Sequence, residues 1–152
     1  MTQEPALILL GCPEVPVQTS VALYLAYKLK ENGLSPVIAG TRAARNLVQL
    51  ADPQRHYAPD YQDLEECIAE MAEKKKAYRM CFVFIHNDAG VSYAATVSAV
   101  TDAKVYAVVY GRNAADLIAE LEELPVRVIG APATHNPMPL KKQMDRVMQW
   151  GA

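Results

Sequence analysis

The sequence predicts a three-layer α/β/α sandwich, Rossmann-like, with a mainly parallel sheet of about five strands. Short apolar runs rich in valine and isoleucine alternate with longer helical patterns. The runs are apolar on both faces, which is typical of strands covered by helices on each side. No repeat or linker interrupts the alternation, so we expect residues 1–152 to form a single domain with right-handed crossovers.

Five runs have the length and composition of buried strands. In chain order they are Ala6–Leu10, Pro36–Ala39, Cys81–Ile85, Lys104–Tyr110 and Val126–Ile129.

The helical patterns begin and end at recognisable residues. A first helix runs from about Thr19 to Gly33, which is expected to adopt a left-handed conformation and end it. Thr41 precedes a second, short helix, and a third begins at Asp60 or Asp63.

The second half of the chain continues the alternation. Ala89–Val100 is almost uncharged and rich in small residues, which predicts a buried helix close against the sheet. Asn113 is expected to cap the next helix, and Asn136 with Pro137 to open the last one. The irregular stretch Ala51–Pro59 is long for a compact domain, which favours a lid or a partner contact.

Composition argues against two classes of partner. The net charge is −2 and no basic stripe occurs, so nothing indicates nucleic-acid binding. The longest apolar run, Ala6–Leu10, is too short to span a bilayer and follows no basic segment, so we expect neither a membrane anchor nor a signal peptide.

Cysteine usage and apolar content bear on compartment and assembly. Cys12, Cys67 and Cys81 are odd in number and widely spaced, which argues against a disulfide framework or a zinc ribbon and favours a reducing cytoplasm. Apolar residues make up 51% of the chain and charged residues only 21%, from which we expect a homodimer.

Several polar residues follow predicted strands directly. In open parallel sheets, ligands bind beyond the carboxyl ends of the strands. The residues expected at this edge are Gly11, Cys12, Glu14, Arg42, His86, Asn87, Asp88, Arg112, His135 and Asn136.

Cys12, His86 and Asp88 are the candidate catalytic residues. A thiol just after a strand, near helix amides, can become a nucleophile, and a histidine beside a carboxylate can act as its base. The structural alternatives are a small residue in a tight turn for Cys12, a satisfied loop histidine for His86, and a helix cap for Asn87 or Asp88.

The remaining edge residues are candidates for ligand binding. Arg42 and Arg112 suit a carboxylate or phosphate, although most such arginines are only solvated. Thr19, near the start of the first helix, is placed either to bind an anion or to cap the helix. Cys12, His86 and His135 together offer three ligands for a catalytic metal if their loops converge. The sequence identifies no cofactor.

Common nucleotide and hydrolase motifs are absent. There is no G-x-G-x-x-G fingerprint, no G-x-x-x-x-G-K-[ST] phosphate loop and no G-x-S-x-G elbow. The D-x-H-x-x-G stretch that holds cobalamin's lower ligand is also missing.

A set of matching residues extends over nearly the whole chain, at positions 9–14, 16–18, 47–49, 51–53, 63–65, 67–68, 87–89, 135–137 and 139–140. On these residues the chain resembles a family of small proteins from methanogenic archaea that is catalogued as a domain of unknown function. The resemblance implies a three-layer α/β/α fold and an archaeal cytoplasm, and it implies no activity. A looser similarity of element order links the chain to sulfur-relay proteins of the DsrE type, whose sulfur-bearing cysteine has no counterpart here.

Three functions compete on these observations. The first is a Rossmann-like protein that binds a small molecule or anion, or serves as a subunit of a larger assembly. The second is a thiol-dependent redox or sulfur-transfer protein that uses Cys12 with His86. The third is a metal-dependent enzyme.

Overall fold

Six strands alternate with six helices in the computed structural model, which describes residues 4–150. The strands are β1 (Glu4–Leu10), β2 (Leu34–Gly40), β3 (Asp60–Asp63), β4 (Met80–Ile85), β5 (Lys104–Val109) and β6 (Arg127–Gly130). The helices are α1 (Val17–Glu31), α2 (Arg42–Ala51), α3 (Leu64–Ala72), α4 (Asp88–Val100), α5 (Ala114–Glu120) and α6 (Met138–Met148).

All six strands are parallel and lie in the order β3-β2-β1-β4-β5-β6. The chain first winds outward from β1 to β3, then returns to the middle and winds the other way from β4 to β6. This doubly wound order has its topological switch point between β1 and β4. The predicted α/β sandwich with a parallel sheet is therefore confirmed.

Both faces of the sheet are buried because successive side chains of a strand point to opposite sides. In β1, Ile8 and Leu10 pack with α1, α2 and α6 on one face. Leu7 and Leu9 pack with α3, α4 and α5 on the other. This arrangement explains why the strand sequences are apolar runs without polar alternation.

The sixth strand, β3, was not predicted. Its sequence, Asp-Tyr-Gln-Asp, has no apolar run, and it pairs only with β2 at the edge of the sheet. An edge strand needs fewer apolar residues because one side has no strand neighbour. Asp63 at its end caps α3, accepting hydrogen bonds from the amides of Glu65 and Glu66.

The stretch that follows α2 is tied down by one buried carboxylate. Asp52 accepts hydrogen bonds from the backbone amides of His56, Tyr57 and Ala58 at 2.7, 3.0 and 3.0 Å. Lys30 of α1 also donates to the carbonyl of His56 at 2.6 Å. These bonds fix the stretch and give no support to the expectation of a lid.

Helix α4 approaches the sheet as closely as predicted. A Cβ atom added at Gly90 would lie 2.9 Å from the Cα atom of Ile85 in β4. However, α4 buries only one stripe, formed by Gly90, Ala94 and Val97, so the predicted burial holds for the face against the sheet and not for the rest of the helix. Small residues here serve close approach on one side rather than burial all round. Within residues 4–150, no helix is long and apolar enough to cross a membrane.

Candidate functional site

The switch point between β1 and β4 brings the loop after β1 (residues 11–16) beside His86 and Asn87, which follow β4. We call the space between these two segments the switch crevice. Two backbone hydrogen bonds hold neighbouring loops against it: Val17 donates to the carbonyl of Thr134 at 3.0 Å, and Gly111 to that of Ala133 at 2.8 Å. The loops after β1, β5 and β6 therefore meet at this end of the sheet.

A buried chain of polar groups runs beneath the switch crevice. The Gln18 side chain donates from Nε2 to the carbonyl of Gly11 at 3.1 Å and accepts a hydrogen bond at Oε1 from the Tyr110 hydroxyl. The Tyr110 oxygen lies 3.4 Å from Nδ1 of His86. Gln18 and Tyr110 are both buried, so this chain fixes its members in a site sheltered from solvent.

His86 stands at the end of that chain. Its side chain is only 6% exposed, and within residues 4–150 its buried Nε2 atom has no hydrogen-bond partner. The nearest charged group is the carboxylate of Glu14, 3.7 Å away, on a side chain that is 63% exposed. Burial lowers the pKa of His86, and the attraction of Glu14 opposes this without reversing it. His86 is therefore neutral at neutral pH.

The turn after β5 packs beside His86 and the loop after β1. Gly111 has φ +92°, a left-handed conformation that other residues rarely adopt. A Cβ atom added there would contact the side chains of His86 and Val15 at 3.7 and 3.8 Å. The turn thus lies directly against the switch crevice, and Tyr110 just before it points into the polar chain.

Cys12 lies in the loop after β1 and is exposed, whereas Cys67 and Cys81 are buried. Its carbonyl accepts a hydrogen bond from the amide of Glu14 at 2.9 Å. Burial raises the pKa of Cys67, and raises that of Cys81 to about 12. Cys12 is therefore the accessible thiol among the three.

Asn87 and Asp88 occupy the start of α4. The Asn87 side chain accepts a hydrogen bond from the amide of Gly90 at 3.2 Å and caps the helix. Asp88 is exposed, and within residues 4–150 it forms no hydrogen bond or ion pair with His86. The carboxylate that faces His86 belongs to Glu14 instead.

Thr19 is the third residue of α1, so it does not cap the helix; the residue at the cap position is Pro16. The amides of Val17 and Gln18 already donate to the carbonyls of Thr134 and Val15. Two of the amides that an anion would need at this helix start are thus occupied.

The other predicted ligand-binding residues lie around the rim. Asn136 accepts a hydrogen bond from the amide of Met138 at 3.1 Å, which gives it the structural role at the start of α6. His135 is exposed, with Nδ1 3.3 Å from the Thr134 hydroxyl. Arg42 and Arg112 are exposed, and neither forms an ion pair within the described residues.

The three-ligand metal hypothesis has no support from the geometry. In the part of the chain that the structure describes, no three His, Cys, Asp or Glu side chains come together as a metal-binding group. Cys12, His86 and His135 therefore do not converge as a ligand set. His86 is directed towards Glu14 and Tyr110 instead.

Sequence reasoning missed two members of the polar chain, Gln18 and Tyr110. Gln18 occupies a position of the buried stripe that Ala22, Leu25 and Leu29 continue at helical spacing. A polar residue in such a stripe requires a buried hydrogen-bond partner, so the sequence contained the information needed to predict a buried polar contact at Gln18. Tyr110 ends an apolar run and looks like an ordinary core residue, so its role depends on tertiary contacts.

An apolar cleft of about 400 Å³ adjoins the loop after β1. Its lining residues are Pro13, Val15, Pro16, Thr19, Leu47, Leu50 and Ala51. A second cleft, of about 480 Å³, lies at the opposite end of the strands, beside the first residues of β1, β4 and β5, and contains several basic side chains. There Arg79 forms an ion pair with Glu4, and Lys76 forms one with Glu70. The positive charges of Arg79 and Lys76 are therefore already paired within the protein.

Comparison with known proteins supports the fold and gives no activity. Residues 7–147 match the family model described as "Domain of unknown function (DUF1890)". A protein named "Uncharacterized protein MJ0452", from Methanocaldococcus jannaschii, is 32% identical over 143 residues, which are 93% of this chain and 95% of that protein.

Solved structures show the same fold. The structure titled MT0777 has a TM-score of 0.89 and 38% identity, over 97% of this chain and 99% of that one. AnUbiX (PadA1), solved in complex with FMN and dimethylallyl pyrophosphate, has a TM-score of 0.59 and 6% identity over 98% and 92% of the two chains. The cypemycin decarboxylase CypD has a TM-score of 0.57 and 15% identity over 97% and 95%. The last two likenesses concern the fold alone.

Proposed function

We propose that this chain, which belongs to the DUF1890 family of domains of unknown function, binds a small molecule in the switch crevice. The observation that carries the proposal is the buried Nε2 atom of His86, which has no hydrogen-bond partner within residues 4–150. It lies where the doubly wound topology places ligands.

The buried Nε2 atom of His86 is energetically unfavourable while it lacks a hydrogen-bond partner. A buried polar atom without a partner costs about 1–3 kcal/mol, and folded proteins retain few of them. His86 is held by the Tyr110–Gln18–Gly11 chain in a position where Nε2 cannot reach solvent. A bound molecule that supplies the missing hydrogen bond recovers that cost.

The charged side chain beside Nε2 is that of Glu14. The Glu14 side chain is mostly exposed and can swing outward without breaking any hydrogen bond found in residues 4–150. The occupant therefore meets both the carboxylate and the imidazole. The apolar cleft beside Pro13 and Val15 offers a neighbouring surface for its carbon skeleton.

Native mass spectrometry and thermal denaturation test this function. Protein purified gently and without oxygen is weighed intact, and FMN and inorganic phosphate are added as first probes because FMN is the ligand named for AnUbiX. We expect a retained mass or a probe-induced rise in melting temperature that His86→Phe abolishes. The control is His56→Phe, which changes an exposed histidine in the stretch after α2. A bare mass, with no response to any probe that depends on His86, contradicts the proposal.

Thiol chemistry at Cys12 is the second candidate, favoured by the exposure of this thiol in the loop that also carries Glu14. Burial alone slows the alkylation of Cys67 and Cys81, so the proper reference is the same chain unfolded in urea. A nucleophilic Cys12 reacts with iodoacetamide faster in the folded chain than in the unfolded one, and His86→Phe slows it. A folded rate equal to or below the unfolded rate refutes thiol catalysis.

We also propose a homodimer in the cytoplasm. Leu47 and Leu50 of α2 are exposed, Leu50 by 79%, and they border the apolar cleft beside the loop after β1. Free thiols agree with a reducing compartment. Light scattering after gel filtration should give a dimer that Leu50→Lys dissociates and Met138→Lys, at another exposed apolar side chain, leaves intact. A monomeric parent chain excludes the dimer.

A further inference from the structure

The buried polar chain determines which nitrogen of His86 carries the proton. The Gln18 side chain donates from Nε2 to the Gly11 carbonyl, so its Oε1 atom faces Tyr110. Oε1 accepts a hydrogen bond from the Tyr110 hydroxyl. The Tyr110 oxygen then has only lone pairs to offer Nδ1 of His86, 3.4 Å away. Neutral His86 is therefore protonated on Nδ1, and Nε2 presents a lone pair to the switch crevice.

Nε2 of His86 and the Glu14 carboxylate are thus both hydrogen-bond acceptors, 3.7 Å apart. Neither can donate to the other when neutral His86 carries its proton on Nδ1, and no hydrogen bond joins Nε2 to a partner within residues 4–150. An atom placed about 2.9 Å from both acceptors sees them about 80° apart, which is less than the roughly 109° between two bonds of a tetrahedral nitrogen. Each N–H bond then points about 15° away from its acceptor, a deviation that a hydrogen bond tolerates.

From this geometry we propose that Glu14 and His86 receive the primary ammonium group of a small amine, which donates one N–H to the carboxylate and one to Nε2. The inference rests on the proposed small-molecule function and specifies its ligand class. A hydroxyl group has one hydrogen and leaves one acceptor unpaired. A phosphate or carboxylate placed there is repelled by Glu14, and an ionised carboxylate also offers Nε2 no hydrogen. A quaternary ammonium group has the charge but no N–H.

The charge distribution favours a cation at this point. In the described residues Glu14 has no lysine or arginine within ion-pair distance, and the one basic side chain paired with it is His86. Burial keeps His86 neutral, so its imidazole does not neutralise the carboxylate at neutral pH. A ligand ammonium supplies the missing positive charge, and a hydrogen bond between charged groups is stronger than one between neutral groups.

The experiment is a nuclear magnetic resonance titration of the full chain at neutral pH, following the His86 ring nitrogens. The probes are ethylammonium, tetramethylammonium, ethanol and acetate at equal concentrations. We expect ethylammonium to shift the Nε2 signal saturably and to bind about tenfold or more tightly than the other three, the factor expected when a charge-assisted hydrogen bond is lost. Glu14→Gln should weaken ethylammonium by a similar factor, and Glu120→Gln, at an exposed glutamate of α5, should not.

The outcomes separate this inference from the proposed function. If ethanol, acetate or tetramethylammonium binds as well as ethylammonium, or if FMN binds through His86 while ethylammonium does not, the amine assignment is overturned and the binding function stands. If Nε2 carries the proton, the tautomer argument is wrong. If no probe moves the His86 signals, the amine assignment fails; the binding function fails with it only when the retained-mass and FMN tests are negative as well.

Discussion

Tyr110→Phe removes one oxygen atom and tests the polar chain on which the site depends. The hydroxyl donates to the buried Oε1 of Gln18 and lies 3.4 Å from Nδ1 of His86. Without it, both atoms are left buried and unpaired. The Gln18 oxygen alone costs about 1–3 kcal/mol, and the long contact to His86 adds little. We expect the free energy of unfolding to fall by about 2 kcal/mol, or Tm by roughly 4–8 °C for a chain of this length.

Urea denaturation followed by circular dichroism measures this change as a lower midpoint with an unchanged slope. Tyr106→Phe is the matched control. Tyr106 is a buried tyrosine of β5 that stacks on Phe82, and within residues 4–150 its hydroxyl forms no hydrogen bond. Its loss should change stability by less than about 0.5 kcal/mol. Equal effects of the two substitutions would refute the role assigned to the polar chain.

Three further perturbations test the fold and the loop around the site. Gly90→Ala places a methyl group against the Ile85 backbone and should lower the free energy of unfolding, measured by urea denaturation, by about 1–3 kcal/mol. Ser92→Ala, on the exposed face of α4, should leave it unchanged. Equal stabilities of the two variants would show that the close contact is wrong. Asp52→Ala leaves three backbone amides unpaired and should cost about 2 kcal/mol near pH 7. Burial raises the pKa of Asp52, but those amides lower it further, to a net value below its ordinary 3.8. The stability that the ionised carboxylate adds is therefore present above pH 3.8 and is lost as pH falls through the native pKa. A gap between parent and variant that does not narrow on acidification below pH 3.8 would contradict this. In the native chain one thiol, Cys12, should react rapidly with a maleimide, counted by intact mass, and rapid loss of all three thiols would contradict the burial of the other two.

The main error in the predicted site concerned the partner of His86. Sequence proximity suggested Asp88, two residues away, but Asp88 begins α4 and is exposed. Glu14 is 72 positions away along the chain and lies 3.7 Å from Nε2 because β1 and β4 are neighbours in the sheet. No local pattern encodes that neighbourhood, since it depends on the order in which strands pair.

The sequence by itself determined the layers and most of the helix ends. Apolar runs without alternation require cover on both faces, and Thr41, Asp63 and Asn87 cap helices through hydrogen bonds to amides within three residues. The tertiary structure alone decided the strand order, the edge strand β3 and the contact of Gln18, Tyr110 and His86. The physical reason is range: caps and apolar periodicity act between residues close in sequence, whereas a buried polar group finds its partner only after distant strands have paired.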